Sequence, residues 1–241
     1  MSFRQPVETR SFAFGAPGCE LFGTATVWDG GSCSSLGTPL RAEGSAPEEE
    51  WRLAGDLVEL TFAPVGEVAE LELADAGIAV LHQLAHVRGT IAVDGEEQVV
   101  DCTGERSRRL GTLDGKRFAA LRTVSAWFGD ADGLAVLAVR PRRARGHDSE
   151  LVDGVLLEGG LPVRVTDPRL SSTYTADGVP KRVGLELWLG EADSDQYARR
   201  AAGEAIGRPA VCGDPPLRSE LLRWRMQGRE GIGVYDLLRA Q

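Results

Sequence analysis

Residues 133–139, GLAVLAV, are apolar at every position, and they decide how the rest of the chain is interpreted. A half-exposed strand alternates apolar and polar residues, whereas a strand covered on both faces is apolar throughout. Pro141 has no N–H to donate to a sheet, so this strand should end there. A second strand-like run follows at residues 151–158, beyond a dense polar segment. The sequence therefore predicts a deeply buried hairpin at the centre of the molecule.

Short strand-like segments recur along the rest of the chain. Residues 57–62 (LVELTF) and 68–73 (VAELEL) alternate apolar and polar residues, and Asp94-Gly95 is typical of a hairpin turn. Residues 78–87 (IAVLHQLAHV) fit either a short helix or a strand. Because turn signals return about every 8–12 residues and no long helical period is present, the pattern predicts an all-β, antiparallel barrel or sandwich.

The two parts of the chain resemble each other faintly. Residues 57–62 precede a Gly- and Arg-containing segment at 104–111 (GERSRRLG), and residues 185–189 (LELWL) precede a similar one at 228–233 (GREGIG). Internal duplication would produce this echo, and so would strand alternation alone. We expect an N-terminal β half, residues 1–128, and a C-terminal β half, residues 129–241, with one continuous domain as the alternative.

The bulk composition bounds the partners and the compartment. A formal net charge of −9 disfavours nonspecific binding to nucleic acid or to an anionic membrane. No apolar signal core and no run of transmembrane length is visible, so a cytoplasmic location without membrane insertion is expected. The cysteines are scattered without a CxxC spacing, which favours reduced thiols over a zinc site or a disulfide framework; they are Cys19, Cys33, Cys102 and Cys212.

Four segments together resemble a known superfamily: residues 104–111 (GERSRRLG), 124–128 (VSAWF), 145–148 (RGHD) and 184–188 (GLELW). They are similar to lipocalin-like (calycin) proteins related to carotenoid 1,2-hydratases and AttH-type proteins, over the chain from about Trp51 onward. The resemblance implies one or two antiparallel barrels able to enclose a hydrophobic molecule. The family's His-Ser-Trp-Gly-like element corresponds here to residues 107–111, which contain neither His nor Trp. The resemblance therefore implies the fold and not the hydratase or cyclase chemistry.

The polar segment after the central strand contains the first catalytic candidates. His147 and Asp148, with Glu150 nearby, could act as general acid and base near neutral pH, and Glu105 is a third candidate beside the central core. Neighbouring guanidinium groups could hold an anion; they are Arg142, Arg143 and Arg145. The alternative is a salt-bridge network that closes the hairpin.

Aromatic and basic residues on the predicted strands are candidates for binding a ligand. Trp127, Trp188 and Tyr174 could line an apolar pocket, although Trp is more often part of a packed core. Arg122 and Arg223 would need partners if they pointed inward, because an unpaired buried charge is costly. Outward-pointing, solvated side chains are the alternative for both arginines.

Metal and cofactor sites are not predicted. His82 and His86 have the i, i+4 spacing of a helical metal site, but no HExxH glutamate accompanies them. On a strand the two would lie about 13 Å apart on one face, too far to share an ion. Phosphate-binding loops and a Gly-x-Ser-x-Gly nucleophile elbow are also absent from the sequence.

These observations lead to three hypotheses about function. The first is a carrier or sensor that binds a small hydrophobic, isoprenoid- or polyketide-like molecule inside a β-barrel. The second is a cofactor-independent hydratase, isomerase or cyclase that acts on such a molecule by acid/base catalysis. The third is an interaction module whose barrel is filled by its own side chains.

Overall fold

The computed structural model describes residues 8–17, 21–144, 150–190, 198–207, 209–213 and 216–240. These residues form an antiparallel all-β protein, as the sequence predicted. The strands of the first half are β1 (Glu8–Phe14), β2 (Gly23–Trp28), β3 (Gly31–Ser34), β4 (Arg41–Glu43), β5 (Trp51–Gly55), β6 (Val58–Leu73), β7 (Ile78–Val93) and β8 (Glu96–Leu110). Those of the second half are β9 (Phe118–Trp127), β10 (Gly133–Pro141), β11 (Leu151–Glu158), β12 (Leu161–Arg164), β13 (Asp167–Tyr174), β14 (Pro180–Trp188), β15 (Arg199–Ala205), β16 (Ala210–Cys212), β17 (Leu217–Met226) and β18 (Arg229–Arg239).

The strands form two curled sheets, one in each half. The first has eight strands in the order β3-β2-β1-β8-β7-β6-β5-β4. The second has ten, in the order β12-β11-β10-β9-β18-β17-β15-β14-β13, with β16 paired to β17. The change of sheet falls between Leu110 and Phe118, before the boundary at residue 128 that the sequence suggested. The division of the chain into domains stays a prediction.

The central strand β10 is buried on both faces, as its uninterrupted apolar sequence predicted. Leu134 and Val136 pack inside the second half, whereas Leu137 and Val139 point toward the first half. The strand ends at Pro141, where its pairing with β9 becomes irregular. β10 therefore belongs to two hydrophobic cores at once.

Three cores hold the molecule together. One fills the first half, around Phe12 and Phe62, and one fills the second half, around Leu187 and Trp224. The third lies where the two sheets face each other, and we call this region the seam. Its core combines residues of both halves, including Leu71, Ile78, Trp127, Leu137, Val155 and Ile232. The seam brings β7 and β8 against β9, β10 and β18.

Two sequence-based expectations are resolved by the strands. The ambiguous segment 78–87 is a strand, the first part of β7. The expectation of reduced thiols is wrong for two of the cysteines, because Cys33 of β3 and Cys212 of β16 form a disulfide between the two halves. Spacing rules for local motifs give no warning of a pair 179 positions apart. Cys102 keeps its thiol, and Cys19 lies outside the described residues.

The one short 3-10 helix of the described chain, Ala74–Ala76, connects β6 to β7. No helix among the described residues is long and apolar enough to cross a lipid bilayer.

Candidate functional site

A group of buried and half-buried polar side chains lies in the middle of the seam. Alternate residues of one strand point to the same face, so β8 directs Glu105, Ser107 and Arg109 toward the second half. The facing strands contribute polar residues at positions where their neighbours are apolar. We call the group the seam cluster: His82, Glu105, Ser107, Arg109, Thr123, Ser125 and Asp236.

His82 and Glu105 form the inner end of the seam cluster. They are 2% and 3% exposed, and His82 Nδ1 lies 3.6 Å from Glu105 Oε2, which is beyond hydrogen-bond distance. Burial raises the pKa of Glu105 to about 8, with a further contribution from the charge of Asp236. Burial also lowers the pKa of His82 to about 4. At neutral pH Glu105 therefore holds a proton and His82 is uncharged, so the pair is not an ion pair.

Asp236 and Arg109 form the outer end of the seam cluster. Burial raises the pKa of Asp236 to about 6, against the opposing effects of Ser219, Arg109 and Thr123. Burial lowers the pKa of Arg109 to about 10, and its Nε donates a hydrogen bond of 3.2 Å to Thr9 Oγ1. Near neutral pH Asp236 is mostly ionised and Arg109 is protonated. The outer end therefore contains one charge of each sign.

Several polar atoms of the seam cluster have no hydrogen-bond partner among the residues that the structure describes. Ser125 Oγ lies near enough to Glu105 to lower its pKa slightly, but it does not reach hydrogen-bond geometry. More than about 90% of buried polar groups in proteins are paired, and an unpaired one costs about 1–3 kcal/mol. A set of such atoms in one place indicates a site that water or a ligand completes. The atoms are His82 Nε2, Glu105 Oε2, Arg109 Nη1, Ser125 Oγ and Asp236 Oδ1.

Two small cavities adjoin these atoms. The inner cavity, of about 20 Å³, borders His82 and Glu105; the outer one, of about 30 Å³, borders Arg109 and Thr9. Each has room for water, since one molecule needs about 10–15 Å³ of this kind of volume. A larger ligand must widen the seam to enter. Both cavities are lined by Val80, Ser107, Thr123 and Asp236, so they are contiguous.

Of the predicted catalytic residues, the structure describes Glu105, which lies in the seam cluster. Glu105 is in the inner cavity, as described above, whereas His147 and Asp148 lie outside the described residues. The indole N–H of Trp127 donates a hydrogen bond of 2.8 Å to the carbonyl of Gly15, so Trp127 joins the two halves and lines neither cavity.

The remaining predicted ligand-binding residues lie in the second half. Arg122 forms an ion pair with Glu150, and the Tyr174 hydroxyl lies 2.7 Å from that of Tyr235. Burial alone would lower the pKa of Arg122, but Tyr235 and Glu150 outweigh burial and raise it. Arg122, Tyr174 and Tyr235 thus form a second polar network, separate from the seam cluster. Trp188 is half-buried on β14, and Arg223 is exposed on β17.

Most of the seam cluster was not predicted from the sequence. His82 was a candidate only as a metal ligand, and Asp236, Arg109 and Ser125 were not candidates for a site. One signal was present: residues 231–238 (GIGVYDLL) place a single charged residue, Asp236, in an otherwise apolar strand. An isolated carboxyl in a buried strand needs a special environment, and that environment is the seam.

The second histidine of the spaced pair has a different setting. His86 is on β7 with His82, but its Nε2 contacts Asp101 at the surface. Within the described ranges, no group of three or more His, Cys, Asp or Glu side chains is arranged to hold a metal ion.

A larger cavity, of about 1070 Å³, lies along β13, β14 and β15. It is open, and charged side chains that line it pair with one another, as in the contacts Arg200–Glu186 at 3.1 Å and Arg169–Asp167 at 2.8 Å. Exposed pairs of this kind are typical of a solvated sheet face. The seam cluster is therefore the better candidate for a functional site.

No protein-family model and no curated protein matches the chain. Solved structures are similar to it over almost its whole length. A protein provisionally assigned as AttH, from Nitrosomonas europaea, has a TM-score of 0.62 at 11% identity and is aligned over 100% of this chain and 95% of its own. CghA in complex with Sch210972 has a TM-score of 0.59 at 12% identity, and CghA alone 0.58 at 13%; each alignment covers 98% of this chain and 89% of the CghA chain. At these identities the likeness shows the fold alone: two lipocalin-like, barrel-like halves.

Proposed function

We propose that the protein binds a small, largely apolar molecule in the seam, with a polar group of that molecule completing the seam cluster. The observation that carries this proposal is the set of five unpaired polar atoms around two contiguous buried cavities. Apolar side chains surround the polar atoms on both sides, among them Leu71, Leu121 and Leu137. The complex of CghA with Sch210972 supports the proposal, because a related fold accepts a small molecule.

The charge balance of the seam favours an uncharged ligand. Glu105 and His82 are neutral near pH 7, and Arg109 and Asp236 balance each other. The protonated Glu105, Ser125 and Arg109 can donate hydrogen bonds, and Asp236 can accept one. A ligand with carbonyl or hydroxyl oxygens on an apolar skeleton matches this arrangement. Small hydrophobic molecules of the isoprenoid or polyketide kind belong to that class.

Ligand binding can be tested on the protein as purified. Native mass spectrometry followed by organic extraction should reveal a bound molecule at unit stoichiometry, or a panel of lipophilic compounds should raise the Tm. Arg109→Met should then weaken binding about ten- to a hundredfold, because a hydrogen bond from a charged donor contributes about 1.5–3 kcal/mol. The exposed Arg223→Met is the matched control and should leave affinity unchanged. An apo mass with no Tm shift across the panel would end the proposal.

Acid/base catalysis on the bound molecule is the second candidate function. The specific observation in its favour is that two carboxyl groups border the same inner cavity with pKa values displaced to about 8 and about 6. Glu105 can donate a proton while Asp236 accepts one, which is the division of work that a hydratase, isomerase or cyclase needs. No cofactor is required for such a reaction.

Two conservative variants separate a catalyst from a carrier. Glu105→Gln and Asp236→Asn keep the side-chain shape but remove the proton transfer. In an enzyme each should lower kcat by about 10²–10⁴-fold while the ligand affinity changes little. The sequence-predicted pair is tested in parallel with His147→Ala and Asp148→Asn. A carrier converts nothing even as the unmodified protein, so absence of turnover with a tightly bound molecule would leave only the binding function.

A further inference from the structure

The disulfide lies directly behind the outer cavity of the seam. Cys33 is the register partner of Thr26 on the neighbouring strand β2, and Cys212 is the register partner of Leu217 on the neighbouring strand β17. Thr26 and Leu217 are both walls of the outer cavity, one from each half. The covalent link between the halves is therefore one strand away from the cavity on either side.

The opposite flank of the seam is joined by hydrogen bonds. The N–H of Glu67 donates to the carbonyl of Gly160 at 2.7 Å, and the N–H of Glu72 donates to Asp153 Oδ2 at 2.9 Å. These bonds connect β6 to β11 and to the turn that follows it. Packing of β2 on β17 and the Trp127–Gly15 hydrogen bond also join the halves beside the disulfide, but among the described residues only the disulfide flank contains a bond that a reductant can break.

The outer cavity contains both an attraction and unpaired atoms: the opposite charges of Arg109 and Asp236 attract the two halves across it. Arg109 Nη1 and Asp236 Oδ1 are left without hydrogen-bond partners there. Unpaired buried polar atoms oppose closure, because water would satisfy them in an open state. At this flank the disulfide therefore holds together a surface whose unpaired polar atoms water would solvate in an open state.

We infer that the Cys33–Cys212 disulfide is a redox-controlled clamp that regulates access to the seam cavities. The oxidised form holds β2 and β17 together and keeps the outer cavity small. The reduced form lets this flank separate while the β6–β11 flank stays joined. As a regulation of ligand entry, this inference rests on the proposed function of the seam.

The switching reaction is thiol–disulfide exchange with a dithiol reductant. A thiolate of the reductant attacks the sulfur of Cys212, since Cys33 is only 3% exposed and Cys212 is partly exposed. The S–S bond breaks, and Cys33 leaves as a thiolate that takes up a proton. The second thiol of the reductant then displaces Cys212 as a thiol and closes the reductant into its own disulfide. Two electrons and two protons pass from the dithiol to the protein.

Alkylation of a thiol placed in the seam tests the inference without a ligand. Ser107 borders both cavities, so Ser107→Cys puts a small reactive probe inside. Iodoacetamide labelling of this site, followed by peptide mass mapping, should be on the order of tenfold faster in the Cys33→Ser/Cys212→Ser background than in the oxidised one. If that background folds poorly, dithiol-reduced protein with intact Cys33 and Cys212 gives the same comparison, because the mapping separates the labelled sites.

A probe on an exposed strand provides the control. Ser171→Cys on β13 should label at the same rate in both backgrounds. A rate for Ser107→Cys that changes less than about twofold on reduction overturns the inference. An equal acceleration of both probes also overturns it, since the opening would then be global.

Hydrogen exchange of the unmodified protein provides the second measurement. Reduction should speed amide exchange in β3 and β16, which contain the two cysteines and each pair with one strand only, and should leave β6 and β11 unchanged. Unchanged exchange in β3 and β16 overturns the clamp. Both experiments are done without ligand, so failure of the clamp and failure of ligand binding are distinguishable results.

Discussion

Burial raises the pKa of Glu105 to about 8, so the folded protein keeps a proton that the unfolded chain releases near pH 4.5. Between these two values the folded state binds more protons than the unfolded state, and its stability falls as pH rises. Asp236 acts in the same direction up to about pH 6. We predict that the unfolding free energy of Glu105→Gln falls less between pH 5 and 8 than that of the unmodified protein, by an amount on the order of a few kcal/mol. Urea unfolding at a series of pH values measures it.

The matched control is Glu96→Gln on the exposed end of β8. It should leave the pH dependence of unfolding as it is in the unmodified protein. The contrary result is an unfolding free energy that falls with rising pH as steeply in Glu105→Gln as in Glu96→Gln and the unmodified protein. Glu105 would then be ionised in the folded state at neutral pH, contrary to its position in the seam.

His82 should make stability depend on pH in the opposite direction, at pH values below about 6.5. Its pKa falls from 6.5 to about 4 on burial, so below pH 6.5 the unfolded chain takes up a proton that the folded state refuses. The contribution of His82 to stability should therefore decrease as pH falls from about 6.5 to 4, against the contributions of Glu105 and Asp236. His82→Gln removes the opposing contribution, so the unfolding free energy should rise more steeply as pH falls through this range. An NMR titration of the His82 ring that showed protonation near pH 6.5 would contradict this prediction.

Single residues were predictable where the sequence made them conspicuous. Glu105 was a candidate because it adjoins the central core, and the seam places it in a buried cavity. Its partners His82 and Asp236 come from distant strands, and only the pairing of β7 with β8 and the packing of the two sheets bring them together. Neither relation has a local sequence signal, so the site could not be assembled from residues alone.

Among the strands, β10 should lose much stability when one of its side chains is truncated, because both of its faces are buried. Leu137 is 0% exposed in the seam core. Leu137→Ala should cost about 2–5 kcal/mol of unfolding free energy, the range for a large-to-small change that leaves a cavity. Val99→Ala on the exposed face of β8 is the control, because Val99 is 76% exposed and its truncation should cost less than about 0.5 kcal/mol. If Leu137→Ala and Val99→Ala lowered the unfolding free energy equally in denaturant unfolding, β10 would not be the strand that the two cores share.

Burial and strand pairing also decided which strands could be predicted from the sequence. The burial of β10 was evident because seven consecutive apolar residues leave no solvent-facing side. β7 was ambiguous because His82, Gln83 and His86 interrupt its apolar pattern, and strand pairing decides its form. The irregular register between Val65 and Ala69 of β6 had no marker strong enough to be foreseen.

The molecule as a whole combines two barrel halves through a shared core and one covalent bond. The likeness to a lipocalin-like fold was visible in the sequence, but the seam was not, since it exists only when two halves face each other. The disulfide was missed for the same reason. Cys33 and Cys212 are brought within 5.6 Å, Cα to Cα, by the docking of β3 against β16.

The shared seam core predicts that the two halves unfold together. Strands β9, β10 and β18 supply side chains to the seam core as well as to the core of the second half, so neither half can lose its packing without exposing the other. Calorimetry of the oxidised protein should show one transition whose calorimetric and van't Hoff enthalpies agree. Reduction should lower the unfolding free energy by about 2–5 kcal/mol, because the disulfide closes a long loop, and should leave a single transition. Two resolved transitions in the reduced protein would mean that the disulfide, and not the apolar seam, couples the halves.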